Sequence, residues 1–279
     1  GGVVMMMEIG DLEYRYRDIP VLDGATLSIR EGEIIGILGP NGCGKTTLLK
    51  NLNRNLVPES GCILLDGKDI SEMTKAEIAR SVAAVPQGNE IRFSFTVEEI
   101  VAMGRMPFQG RFEGPSSDDL EIAREAMADV GLLDKKDRPI NELSGGERQR
   151  AIIARALTQT PRVLLMDEPT NHLDVNMQFE VLDLVERLSR DKGITVVIVS
   201  HDLSMAARYC DRIAMIRNGR IMCCGTPEET LTADNMRTVF SVDAELSVDS
   251  KTGRRTVLLH GAVRRPSNAA CATFINEID

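Results

Sequence analysis

The chain has 279 residues, of which 43% are hydrophobic and 27% charged, with a formal net charge of −9. That length and apolar content are enough for one domain with appendages and exclude a disordered chain. The acidic balance excludes general nucleic-acid affinity, which needs a clustered basic face, and no apolar run reaches the ~18–20 residues that cross a bilayer.

Residues 12–16 and 25–29 are predicted as strands of an antiparallel layer. Ile34–Leu38 follows as a buried strand that runs into a glycine-rich turn, with a helix opening near Lys45. Between about 88 and 160 the texture becomes helical, with three- and four-residue apolar spacing over 97–103, 118–130 and 145–157 and Ser116 or Ser117 as caps. Further strands are predicted at 163–166, 195–199, 212–216 and 220–223, the last two joined by the hairpin signal Asn218-Gly219. Beyond Val242, segments 245–248 and 255–260 flank a turn-like stretch. The alternation of strands and helices points to an α/β fold around a buried sheet. Six cysteines (Cys43, Cys62, Cys210, Cys223, Cys224, Cys271) show no metal or C-x-x-C spacing and read as thiols of a reducing cytoplasm. Gly1-Gly2 reads as an expression remnant, and no secretion signal is expected at the start.

Gly39-Pro40-Asn41-Gly42-Cys43-Gly44-Lys45-Thr46 matches G-x-x-x-x-G-K-[ST] between a strand and a helix. Its glycines leave N–H groups free to wrap phosphates, and the helix start at Lys45, Thr46 and Thr47 adds a favourable dipole. Lys45 suits the β- and γ-phosphates of ATP, and the Thr46 hydroxyl suits Mg²⁺. The apolar run 163–166 ends in Asp167-Glu168, placing two carboxylates at a strand's C-terminal edge. Asp167 suits the metal, and Glu168 the polarisation of an attacking water.

Leu143-Ser144-Gly145-Gly146-Glu147-Arg148-Gln149-Arg150 resembles the signature motif of ATP-binding-cassette (ABC) ATPases, and the resemblance extends over about residues 7–240. It implies a P-loop NTPase (RecA-like) core with an antiparallel β layer and an inserted helical subdomain at about 88–160. The cassette would span 1–242 and an appendage 243–279. In that family two copies sandwich two ATP molecules. Ser144, Gly145 and Gly146 would therefore meet the γ-phosphate held by the opposite chain. Tyr16 resembles the aromatic that stacks on adenine, with Tyr14 as the competing candidate. Gln87 looks like the glutamine that senses Mg²⁺ and water, Asp174 like the aspartate linking the two sites, and His201 like the switch histidine at the γ-phosphate. Glu147 stands where many relatives have glutamine. Cys43 departs from the usual small residue, so alkylation there is expected to fill the cradle and block nucleotide.

Thr96-Val97-Glu98-Glu99-Ile100-Val101-Ala102-Met103-Gly104-Arg105-Met106-Pro107 resembles a run found in the ATPase subunits of iron–siderophore, haem and cobalamin importers. That likeness implies an integral membrane permease as partner and, indirectly, a substrate-binding protein. The chain would then sit in the cytoplasm, peripheral on the inner face of the cell membrane. Met103, Met106, Phe108 and Phe112 are candidates either for contacts with a permease helix or for packing of the subdomain's own core. The alternatives are the ATPase of another ABC transport system or a soluble ABC ATPase of iron–sulfur cluster assembly.

Overall fold

The computed structural model describes residues 3–88, 95–110 and 114–263; Phe112, Cys271 and Gly1-Gly2 lie outside them. Strands β1 (Met5–Tyr16) and β2 (Ile19–Arg30) pair as a long antiparallel hairpin. Both run well beyond the predicted 12–16 and 25–29. Register shifts at Met5/Met7 and Ile9/Leu12 break the two-residue alternation by which a strand is read from sequence.

β3 (Ile34–Leu38) is buried at every position and delivers the chain to α1 (Lys45–Leu52). Next come β4 (Ser60–Leu65), β5 (Lys68–Asp69), α2 (Lys75–Ala79) and β6 (Val82–Val85). Three helices follow: α3 (Val97–Ala102), α4 (Ser117–Asp129) and α5 (Gly145–Leu157). Each opens on a reciprocal capping box, Thr96 with Glu99, Ser116 with Asp119 and Ser144 with Glu147. Of the two predicted α4 caps, Ser116 is the one used.

The rest of the chain alternates β7 (Val163–Asp167), α6 (Val175–Lys192), β8 (Thr195–Ser200), α7 (Leu203–Tyr209) and β9 (Arg212–Arg217). β10 (Arg220–Gly225) returns through Asn218-Gly219, both at positive φ (50° and 74°). Helices α8 (Pro227–Thr230) and α9 (Ala233–Phe240) lead to a final antiparallel pair, β11 (Val242–Val248) and β12 (Arg255–Ala262).

The central sheet has the order β10-β9-β3-β8-β7-β6, with β9, β3, β8, β7 and β6 parallel. Fully buried strands need cover on both faces. Alternate residues of β3 supply it: Ile35 and Ile37 join a core closed by α1 and the β2-β1-β4-β5 layer, and Ile34 and Leu38 join the core shared with α3–α7. The terminal hairpin packs on this second core through Ala244 and Val257, both under 8% exposed. Ser204 of α7 bonds the backbone of Val257, and Arg254 pairs with Glu186 of α6 at 3.1 Å.

Candidate nucleotide-binding site

The C-terminal ends of β3 and β7 open on one cleft of about 380 Å³. Its wall includes Asn41, Gly42, Gly44, Lys45, Thr46 and Thr47 of the loop and helix start. Gln87, Asp167, Glu168, Val199 and Val21 complete it. Gly44 caps α1 at φ 103°, a conformation closed to side chains, and a Cβ there would come within 2.8 Å of the Val21 carbonyl oxygen. Val21 is the residue that reading the sequence missed. It reaches the cleft only because the β1–β2 hairpin folds back over the loop, and no local motif marks it.

Lys45 is buried, and its ammonium donates to the carbonyls of Gly39 (2.6 Å) and Pro40 (2.9 Å). These two residues thus hold the lysine inside its own loop. Cys43 lies beneath the loop, 6% exposed, and its sulfur occupies the space a Cβ on Gly39 would take. Burial pushes its thiol above the usual range. The expectation that an alkylated Cys43 fills the cradle is therefore revised, because the sulfur points into the core below the loop rather than toward the cleft. Maleimide should react with exposed Cys62 well before Cys43, by about tenfold or more in rate, as peptide mass mapping would show.

Thr46 Oγ1 donates to Asp167 Oδ2 at 2.8 Å, across 121 positions of sequence. Asp167 Oδ1 is buried with no hydrogen-bond partner. The Thr46 hydroxyl and the Asp167 carboxylate, one of whose oxygens is orphaned, form a donor set that fits a hard divalent cation such as Mg²⁺. Burial raises the Asp167 carboxyl pKa, and the neighbouring Glu168 charge adds to the shift. A group with a raised folded-state pKa supports folding below its unfolded value and withdraws that support as pH rises through the folded one. Ionised Asp167 is thus a liability at neutral pH. Asp167→Asn should raise Tm by a few degrees (about 1 kcal/mol) without Mg²⁺ and weaken Mg²⁺-dependent nucleotide binding, read by calorimetry and titration.

Glu168 follows directly, at φ 47°, a left-handed conformation that costs a non-glycine residue about 1 kcal/mol. Its N–H donates to the Val199 carbonyl at 2.9 Å, and its Oε1 lies 2.9 Å from His201 Nδ1. The Glu168 side chain is mostly covered, whereas that of His201 is 57% exposed. His201 occupies a two-residue link between β8 and α7 and is steadied by the Asp202 cap on Met205 N–H.

Of the remaining candidates, Gln87 shares this cleft, whereas Tyr16, Ser144, Gly145, Gly146 and Asp174 are not part of its wall. Tyr16 is 43% exposed near the β1–β2 tip, edge-on to Tyr14 at 5.0 Å. Tyr14 packs against the inner core, so Tyr16 has the freer face. Ser144, Gly145 and Gly146 start α5. The Ser144 hydroxyl accepts the Glu147 N–H at 3.2 Å, which leaves its proton free to donate outward. Glu147 completes the box and pairs closely with Lys135, and that contact holds its carboxyl below the usual range. Asp174 caps α6 with its side chain exposed and makes no capping bond. Gln87 lines both the phosphate cleft and a second cleft of about 270 Å³ that reaches Gly145. Phe108 is half-buried, with the Arg105 guanidinium 3.8 Å from its ring centroid, which fits the packing alternative for this residue.

A glycine loop between a buried strand and a helix, with its threonine on a carboxylate of a neighbouring strand, defines a P-loop nucleotide site. The profile of the ABC transporter family matches residues 22–171, more than half of the chain. The chain belongs to that family, as its ATP-binding cassette. It is 38% identical over 249 residues to the iron(3+)-hydroxamate import ATP-binding protein of Bacillus subtilis, covering 89% of this chain and 93% of that one. It is 40% identical over 253 residues to the cobalamin import ATP-binding protein of Halobacterium salinarum, where it spans 63% of the relative's length. Among solved structures, an ABC transporter assigned to the metal-chelate type, in an inward-facing conformation, superposes with a TM-score of 0.81 at 26% identity. That match covers 92% of this chain and 97% of the other. A bacterial ABC transporter cassette solved as a dimer superposes with a TM-score of 0.69 at 27% identity, over 80% of this chain and 99% of the other. No helix among the described residues is long and apolar enough to cross a membrane.

Proposed function

We propose that this chain is the ATP-hydrolysing subunit of an importer for iron–siderophore, haem or cobalamin complexes, driving a separate membrane permease. The observation that carries the hydrolytic part is the convergence on one cleft of the phosphate loop, of Asp167 bonded to Thr46, and of Glu168 bonded to His201. The transport part is supported by the cargo of the named relatives and by a groove of about 390 Å³ beside α3 and α4. Met103, Met106 and Leu120 give that groove an apolar floor, and Glu98 and Glu99 give it an acidic rim, which suits an amphipathic helix of the permease.

The loop N–H groups and Lys45, released from the Gly39 and Pro40 carbonyls, grip the triphosphate. Thr46, Asp167 and Gln87 would hold Mg²⁺, which neutralises phosphate charge when bound. Glu168 orients water for in-line attack, and His201 faces the γ-phosphate. Tyr16 stacks on adenine. Ser144, Gly145 and Gly146 of a second copy complete the site through a free hydroxyl proton and a helix start, with Asp174 at the junction between copies. The cassette covers 1–242, its helical subdomain about 88–160, and residues 243–279 are appended. It sits on the inner face of the cell membrane through the permease, which a substrate-binding protein loads from the other side.

The test is co-purification of the full chain with an identified permease from membranes, together with Mg²⁺-dependent ATP turnover. Turnover per chain that rises with protein concentration fits a shared site, and a rate independent of concentration sinks the paired arrangement. A soluble complex with scaffold proteins and no permease would move the assignment to iron–sulfur cluster assembly.

A further inference from the structure

One side of the groove is closed by a 3-10 turn, Met103–Phe108, and at its centre Arg105 is only 8% exposed. A buried guanidinium persists only where its donors are matched. Nε donates to Asp119 Oδ1 and Nη1 to the Thr158 carbonyl, both at 2.8 Å, while the guanidinium lies against the Phe108 ring. These partners belong to separate pieces of the fold. Asp119 sits in the first turn of α4, where its other oxygen accepts the Ser116 N–H at 3.0 Å as half of the capping box. Thr158 is the C-cap of α5. The bond to Arg105 holds the Asp119 carboxyl below its ordinary range.

The turn also lies hard against the end of α5. A Cβ on Gly104 would be 2.0 Å from the Arg155 carbonyl oxygen and 2.1 Å from Thr158 Oγ1. α5 is the helix that starts at Ser144-Gly145-Gly146, and its 13 residues make a rod of about 20 Å. One end of that rod is the corner assigned above to the partner's nucleotide. The other end is held by Arg105.

We propose that Arg105 is a positioning residue that fastens the groove to the far end of the signature helix. Motion of the signature corner over a nucleotide is then delivered to whatever occupies the groove. This rests on the reading of Ser144 to Gly146 as a nucleotide-facing corner. Apolar packing between α3, α4 and α5 holds the helices together without a fixed direction, whereas the guanidinium fork ties a side chain in the first turn of α4 to the backbone at the end of α5 at set angles. Lysine cannot stand in, because a single ammonium on a flexible stem offers neither the fork nor the planar face.

The test is hydrogen–deuterium exchange on the full chain carrying Glu168→Gln to stop turnover, with and without Mg-ATP. In this parent, ATP should slow exchange over 144–157 and change it over 103–109 by about threefold or more. Arg105→Met and the milder Arg105→Lys should keep the first response and lose the second, with thermal melts confirming that both are folded. A groove response that persists in either folded variant, or is missing from the parent, overturns the proposal. If ATP changes nothing over 39–47 or 144–157 in the parent, the nucleotide-binding reading itself has failed and the link falls with it.

Discussion

Glu168→Gln is expected to lower ATP turnover by about 10²- to 10⁴-fold while leaving nucleotide binding intact. Glutamine keeps the size of the side chain and an oxygen for the His201 contact at 2.9 Å, but it cannot take a proton from water. The backbone that aims this side chain is held by the N–H bond to Val199 and the left-handed φ of 47°, and the substitution alters neither. The loss should therefore fall on kcat alone. With the γ-phosphate uncleaved, two copies should remain closed around ATP, and sedimentation with Mg-ATP should find a dimer that outlasts the wild-type one. Near-normal turnover would remove Glu168 from the role assigned to it.

Lys45→Ala has the second large effect, on binding rather than on the chemical step. Charge-assisted bonds to phosphate are about twice as strong as neutral ones, and Lys45 can supply two. Nucleotide affinity should fall by about 10²-fold, read by titration with a fluorescent ATP analogue. The substitution also strips the Gly39 and Pro40 carbonyls of their shared donor, so a modest drop in Tm is expected alongside. Unchanged ATP affinity would mean that the glycine loop is not a phosphate cradle.

The chemistry was legible in the sequence wherever the need is met within a few consecutive residues. The glycine loop, the strand ending in Asp167-Glu168 and the serine–glycine corner each pack a backbone demand and a side-chain demand into eight positions or fewer. What joins them was not legible. Thr46 meets Asp167 and Glu168 meets His201 because β3, β8 and β7 lie side by side in register, a choice of strand order that no local pattern encodes. The same holds for Arg105. The Gly-Arg-Met-Pro run was visible, but only the fold shows that its arginine is buried between two helices and that its neighbouring glycine touches the end of one of them. Strands β1 and β2 were read too short because their bulges interrupt the alternation.

The family profile ends at residue 171, yet the last described strand ends some ninety positions later, and the hairpin it closes is stitched back into the middle of the chain. Val257 plugs the flank of the helix that begins just past His201, and Arg254 clips the one that begins after Asp174. Trimming the protein at Val242 would strip that flank bare, and the shortened product should clump and melt several degrees lower (about 2 kcal/mol) even though every phosphate-touching group is still encoded.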